Sequence, residues 1–373
     1  MKGCETYLDW NATAPLKVEA RAAVSEALCL CGNPSSVHRR GRASRRLLED
    51  ARASVAKLVG AAPQSVIFTS GGTEANHLAL LGAGRERILV SAVEHSSVLG
   101  AVPAAERIPV DREGRVRLDA LDALLSQDAR AALVSVMLAN NEMGILEPAR
   151  EAAAIAHRHG ALFHCDAVQA AGKILLDSAA IGADFLSLSA HKIGGPMGVG
   201  ALVVGEEGAI APLLRGGGQE RRRRAGTENL PGITGFGAAA AASDLGAYER
   251  IRALREGLER ELAARAPDCP VVGAGAPRLP NTLALAMPGV PAETQVIAFD
   301  LEGVMVSAGA ACSSGKIEKS HVLEAMGVPA EIARSTIRVS LGWSTSEDDI
   351  GRFLDAWTAL HRRKRARQGR LAA

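Results

Sequence analysis

Several residues whose chemistry differs stand at the ends of short apolar runs in this 373-residue chain. Lys192 lies in Ser187-Leu-Ser-Ala-His-Lys-Ile-Gly-Gly-Pro-Met-Gly-Val-Gly200, directly after the run Asp184-Phe-Leu-Ser-Leu-Ser189. A lysine at the mouth of a buried strand is costly to desolvate unless its amine is used, and burial that lowers its pKa makes it a nucleophile toward carbonyls. That is how a protein holds an aldehyde cofactor as a Schiff base. Taken alone, a solvated loop lysine beside a structural turn is the plainer alternative. Ser70-Gly-Gly-Thr-Glu-Ala-Asn76 follows a strand and opens a helix. Free backbone N–H groups and the Thr73 hydroxyl would form an anion nest there, or Thr73 would simply cap the helix. Asp166 ends the run Leu162-Phe-His-Cys165 and could keep a pyridine nitrogen protonated. His95 could stack on a planar ring and shuttle protons, and Asn140 or Asn141 could reach a ring substituent. An anion cradle, a stacking imidazole, a carboxylate and a Schiff-base lysine together suit pyridoxal 5′-phosphate. The phosphate loop is neither a Walker loop nor G-x-G-x-x-G, which argues against a nucleotide.

Two further residues bear on the reaction. Cys312 lies in Ser307-Ala-Gly-Ala-Ala-Cys-Ser-Ser-Gly315, a run of small residues in which a free thiol would be accessible. A buried cysteine in an Ala-rich segment is the structural alternative. Arg338, on the expected strand Thr336-Ile-Arg-Val-Ser340, suits bidentate capture of an amino-acid carboxylate or an ion pair with an acidic neighbour.

These residues need a scaffold that gathers strand ends. Between about 43 and 205, helical and strand patterns alternate. Helices are expected at Ala43 to Leu58, Thr73 to Leu81 and Ala149 to His159, and strands at 66–69, 88–92, 133–138, 162–165, 185–189 and 201–204. Continuous apolar strands between helices imply an α/β fold with a mostly parallel sheet covered on both faces, and ligands bind beyond the carboxyl ends of such strands. A long helix is expected over Leu245 to Ala264, and the last hundred residues read as a smaller α+β unit. The expected division is a large domain over 15–258 and a small one from 1–14 and 259–373.

Composition narrows the function classes. With aromatics at 3%, the core must be aliphatic. A net charge of +2 points to no polyanionic partner, and the basic runs at 221–224 and 361–367 read as solvated surface, so nucleic acid is not expected. No secretory leader or membrane span is legible. The six cysteines lack a repeated zinc spacing, and reduced thiols in a cytoplasmic protein with no permanent metal fit best.

The chain resembles the pyridoxal-phosphate enzymes of the aminotransferase class V group, specifically the NifS/IscS-type cysteine desulfurases. The resemblance runs through Tyr7 to Thr13, Gly32 to Ser36 with His38, Ser70 to Glu74, Val93 to His95, Ala139 to Glu142, Asp166 to Gln169, the His191-Lys192 segment, Gly216 to Glu220, Arg224 to Asn229 and the cysteine loop. It implies a type I pyridoxal-phosphate transferase fold that removes sulfur from L-cysteine, giving L-alanine and a persulfide on Cys312. It implies Lys192 as the Schiff-base lysine, Asp166 on the pyridine nitrogen and Gln169 at the ring hydroxyl. Gly72, Thr73, Ser189 and His191 would hold the phosphate, Asn141 and His95 the ring, and Arg338 with Asn141 the substrate. Thr227 would reach the phosphate of a neighbouring subunit in a homodimer. The longer cysteine loop resembles the group that passes sulfur to NifU/IscU-like scaffolds for iron–sulfur assembly, nitrogen fixation among its uses, where a persulfidated Cys312 could ligate a cluster transiently. Trp10, His77 and Arg222 depart from the family pattern; Arg222 stands where glycine is common. The nearest alternatives are another class V aminotransferase or a selenocysteine lyase, with Cys312 incidental.

Overall fold

The computed structural model describes residues 5–206, 208–308 and 319–372, with side chains to residue 366. Cys312 lies outside the described residues. Eleven strands are found among those described: β1 (Thr6–Tyr7), β2 (Val66–Thr69), β3 (Arg87–Ser91), β4 (Glu106–Ile108), β5 (Ala132–Ser135), β6 (Leu162–Asp166), β7 (Phe185–Ser189), β8 (Gly200–Val204), β9 (Thr282–Ala286), β10 (Val304–Met305) and β11 (Thr336–Ser340). Seven of them form one sheet in the order β2-β8-β7-β6-β5-β3-β4. The run from β7 to β4 is parallel, while β8 is antiparallel to both β7 and β2. β2, β5, β6, β7 and β8 are buried at every position, as expected of strands covered on both faces. The fold is therefore α/β with a mostly parallel central sheet. No helix among the described residues is long and apolar enough to cross a membrane.

Helix ends differ from the sequence expectation where unexpected groups cap them. The helix over Arg39–Leu58 begins four residues before Ala43, because the His38 imidazole accepts the Gly41 N–H at 3.2 Å and satisfies one of the free donors there. The Gly72–Gly82 helix has Gly71 at its N-cap with no side-chain bond, so Thr73 is not a cap.

A second apolar core gathers Leu8, Tyr248, Ile251, Phe299, Ile337, Phe353 and Trp357. The Leu245–Arg265 helix faces this core from Tyr248 onward, and the Glu347–Ala372 helix closes it. β9 pairs with β11 antiparallel, and β1 pairs with β10 parallel. An isolated parallel bridge between Asp9 and Ser340 ties the start of the chain to β11.

One buried ion pair sets the loop before Thr227. Arg52 donates from Nη1 and Nη2 to the two Glu220 carboxylate oxygens at 2.7 and 2.8 Å, and from Nη1 to the Val66 carbonyl. Glu220 also accepts the Phe68 N–H at 2.9 Å. Glu220, Arg221 and Arg222 all have positive φ, at 44°, 55° and 66°. That is the region glycine favours, and each side chain placed there costs on the order of 1–2 kcal/mol. The buried carboxylate, satisfied from three sides, holds the strained turn in place. Arg52→Ala would strand that charge and is expected to destabilise the protein by about 3–5 kcal/mol in denaturant unfolding. A loss below about 1 kcal/mol would show that the pair does not anchor the turn.

Candidate active site

The carboxyl ends of β2, β3, β5, β6 and β7 open onto one cavity of about 490 Å³, a volume typical of small-molecule sites. Its walls include Gly72, Thr73, His95, Asn141, Asp166, Gln169, Ser189, His191, Lys192 and Arg338. The structure thus brings together the described residues singled out for the site, with Thr227 and Asn140 as the exceptions. Thr227 lines a different cleft of about 120 Å³, with Glu220, Arg224 and Ser70.

Lys192 follows β7 in a short 3-10 turn, Ala190–Lys192. Its amine donates to the Asn11 and Ala12 carbonyls at 2.5 and 2.8 Å. Burial, with the Arg338 cation adding to it, pushes its pKa down to about 8. Near neutral pH a useful fraction is then free amine, as a carbonyl nucleophile requires. Burial and the Lys192 charge also push His191 down to about 4, so that ring is neutral.

Asp166 is buried at the end of β6. Asn76 Nδ2 donates to its Oδ2 at 2.8 Å, and the Val168 N–H donates to Oδ1 at 2.9 Å. Asn76 Nδ2 also donates to Ser97 Oγ at 2.8 Å. Ser97 in turn meets His95: its Oγ lies 2.8 Å from Nδ1, and its N–H donates to Nδ1 at 3.2 Å. Nδ1 is therefore an acceptor, and the neutral ring carries its proton on Nε2. Burial keeps the His95 pKa below its ordinary value, against the pull of Asp166. Asn76 and Ser97 escaped the sequence reading. A polar amide one turn after Thr73, at a position flanked by the apolar Ala75 and Leu78 to Leu81 of the same helix, was the available signal.

The two adjacent asparagines divide their work. Asn140 is structural: Nδ2 donates to the Val93 carbonyl, and Oδ1 accepts the N–H groups of Glu142 and Met143. Asn141 lines the cavity, and its carbonyl accepts from Arg338 Nη1 at 2.9 Å. Arg338 also pairs with Asp9 at 2.7 Å, while its buried Nε has no hydrogen-bond partner. Of the two alternatives for Arg338 the structure shows the ion pair, and it also places the residue in the cavity wall. Behind the wall, burial and then the Asp166 charge push the Glu94 carboxyl well above the usual carboxylate range. Glu94 accepts the Met137 N–H there.

Elsewhere Asp268, Cys269 and His361 bring donor atoms within 4.8 Å of one another. The Lys364 ammonium sits 2.9 Å from Asp268 and pairs with that carboxylate.

The aminotransferase class-V family model matches residues 6–353. The chain is 46% identical over 364 residues to a cysteine desulfurase of Cereibacter sphaeroides, covering 94% of each. It is 43% identical over 368 residues to the cysteine desulfurase IscS of Dictyoglomus turgidum, covering 94% of this chain and 93% of that one. Among solved structures, a NifS-like protein from Rickettsia africae superposes with a TM-score of 0.89 at 36% identity, over 96% of this chain and 99% of that chain. A structure described as SspA in complex with cysteine gives 0.79 at 26% identity, over 90% and 98%.

Proposed function

The chain belongs to the aminotransferase class-V family and, within it, to the cysteine desulfurases, and from that premise we propose that the cavity holds pyridoxal 5′-phosphate and takes L-cysteine as substrate. The observation that carries the reading is the convergence of a buried carboxylate, a depressed lysine amine and a strand-to-helix cradle on one cavity.

The donor set fits the cofactor. Gly72 opens its helix where a Cβ would meet Val168 Cγ2 at 2.9 Å and Ser189 Cβ at 3.5 Å, and the N–H groups of that first helical turn would take the phosphate. Thr73, Ser189 and His191 would complete the phosphate site. Asp166, held by Asn76 and Val168, would present its carboxylate to the ring nitrogen. Gln169 would serve the ring hydroxyl, and His95 would stack on the ring face. When bound, the cofactor supplies an electron sink that weakens bonds at the α- and β-carbons of an amino acid.

The chain's own residues do the rest. Lys192 would hold the cofactor's aldehyde and, as a free amine, would move protons at the substrate carbons. His95, with its proton on Nε2, serves as a second proton carrier on the same face. Arg338 and Asn141, which both line the cavity, would seat the substrate carboxylate. Cys312 attacks the substrate sulfur as thiolate: a sulfur–sulfur bond forms, the carbon–sulfur bond breaks, and the carbon is protonated to give alanine. The persulfide left on Cys312 would go to an acceptor, with a NifU/IscU-like scaffold for iron–sulfur assembly the partner the loop length favours. The same reading includes a homodimer with Thr227 facing the partner's phosphate, a cytoplasmic protein, a large domain over 15–258 and a small one from 1–14 and 259–373.

The test is product analysis. The purified protein with pyridoxal phosphate and L-cysteine should form alanine and sulfide in equal amounts, with dithiothreitol and without a keto acid. Alanine that appears only when a keto acid is added would make the protein an aminotransferase instead.

A further inference from the structure

Lys173 is fully buried and lies outside the set of residues assigned to the reaction. It sits one turn beyond Gln169, in the segment after β6. Its amine has two partners: Gln169 Oε1 at 2.9 Å and Asn11 Oδ1 at 3.0 Å. Both are amide oxygens. Even as a free amine, Lys173 has two N–H groups, and two acceptors match them. Burial, with the Lys192 and Arg338 cations adding to it, lowers its pKa well below the ordinary lysine value.

An amide can present either end to its surroundings, and an amine that aims its N–H groups at Gln169 and Asn11 decides which. With Oε1 turned to Lys173, Gln169 must turn its NH2 the other way. One N–H is spent on the Asn11 carbonyl at 3.0 Å. The second is left for the cavity that Gln169 lines. Asn11 is fixed by the same amine: Oδ1 accepts from Lys173 and from Asn281 at 3.1 Å, so Nδ2 donates to Thr282 at 2.9 Å and to the Asn141 carbonyl at 3.3 Å. The Asn11 carbonyl, in turn, accepts from Lys192.

We propose that Lys173 is a positioning residue that fixes Gln169 as a hydrogen-bond donor toward the ring oxygen of the cofactor, and that it acts only through the orientation of that amide. The inference rests on the cofactor reading above. Without Lys173 the amide is free to turn, and half its orientations place Oε1 against an anionic oxygen. An oxygen robbed of its donor is more basic and holds the neighbouring proton to higher pH.

The experiment is a pH titration of the visible absorption band, together with cofactor affinity from equilibrium dialysis of apoprotein against pyridoxal phosphate. Lys173→Met is expected to move the titration midpoint upward by about one unit and to weaken cofactor binding about tenfold. Its melting temperature should fall only modestly, because an apolar chain of similar length fills the space while the Gln169 and Asn11 oxygens lose one buried donor. Gln169→Leu should give the same shift, and adding K173M to it should give no more, since the two act through one bond. Lys173→Gln can pair with Gln169 in either orientation, so it too should show the upward shift if K173M does not fold. A midpoint in K173M equal to wild type, or a further shift in the double variant, overturns the inference. A wild-type protein that binds no pyridoxal phosphate overturns the cofactor reading instead, so the two failures are distinct.

Discussion

Lys192→Ala is expected to abolish turnover, by about 10³-fold or more, and to leave a protein that no longer holds pyridoxal phosphate through a protein amine. The amine is the nucleophile of the cavity, and Lys173, the other described lysine beside it, is committed to two amide oxygens. The wild-type amine also makes a kinetic prediction. Its pKa of about 8, set first by burial, means that the free-base fraction passes one half near pH 8. The rate at which apoprotein combines with pyridoxal phosphate should therefore rise with pH, bend near 8 and level off above it. A solvated lysine would keep rising toward pH 10. The sign follows from the reacting form: the neutral amine attacks and the ammonium does not. Measuring the growth of the visible band across pH 6–10 checks this. A rate still climbing steeply above pH 9.5 would remove the role of burial, and a Lys192→Ala protein with the wild-type band would remove the role of the residue.

Cys312→Ala separates the two halves of the reaction. It should retain cofactor affinity and the visible band, because none of the cavity-wall residues is touched. Persulfide formation should be lost, and alanine formation should fall by at least about 10³-fold. Without an acceptor thiolate, the carbon–sulfur bond has no partner to take the sulfur. The readouts are alkylation of the protein followed by mass measurement for one added sulfur atom, and alanine quantified after incubation with L-cysteine. Undiminished sulfide release by Cys312→Ala in the presence of dithiothreitol would reject the persulfide scheme and favour the class V alternatives in which this cysteine is incidental.

The sheet was legible because its strands are unbroken apolar runs, and a motif at the end of such a run can be placed without coordinates. That is why Lys192, Asp166, His95 and the Gly72-Thr73 cradle were found as a set. What escaped was the layer behind them. Asn76 and Ser97 connect Asp166 to His95 through side chains on separate elements, and Lys173 reads as an ordinary surface residue until its burial is known. The antiparallel placement of β8 depends on a chain reversal at glycines that apolarity does not encode. Asn140 and Asn141 are chemically identical, and only the turn geometry assigns one to the frame and the other to the cavity. The early start of the Arg39–Leu58 helix rests on a histidine cap, a residue outside the usual capping set.

The Asn11 junction has a consequence for how the protein is made. Its backbone N–H bonds to Ser340, 329 residues away, and its amide side chain reaches Thr282 and Asn281. β1, just before it, waits for β10. On the ribosome, then, the central sheet can assemble long before its active centre can. The nascent chain carries a nearly finished sheet with an unfinished wall, and residues 6–11 must stay available until β9 to β11 have emerged. Ribosome-bound chains stalled before β11 should therefore resist protease across residues 66–204 yet fail to take up pyridoxal phosphate.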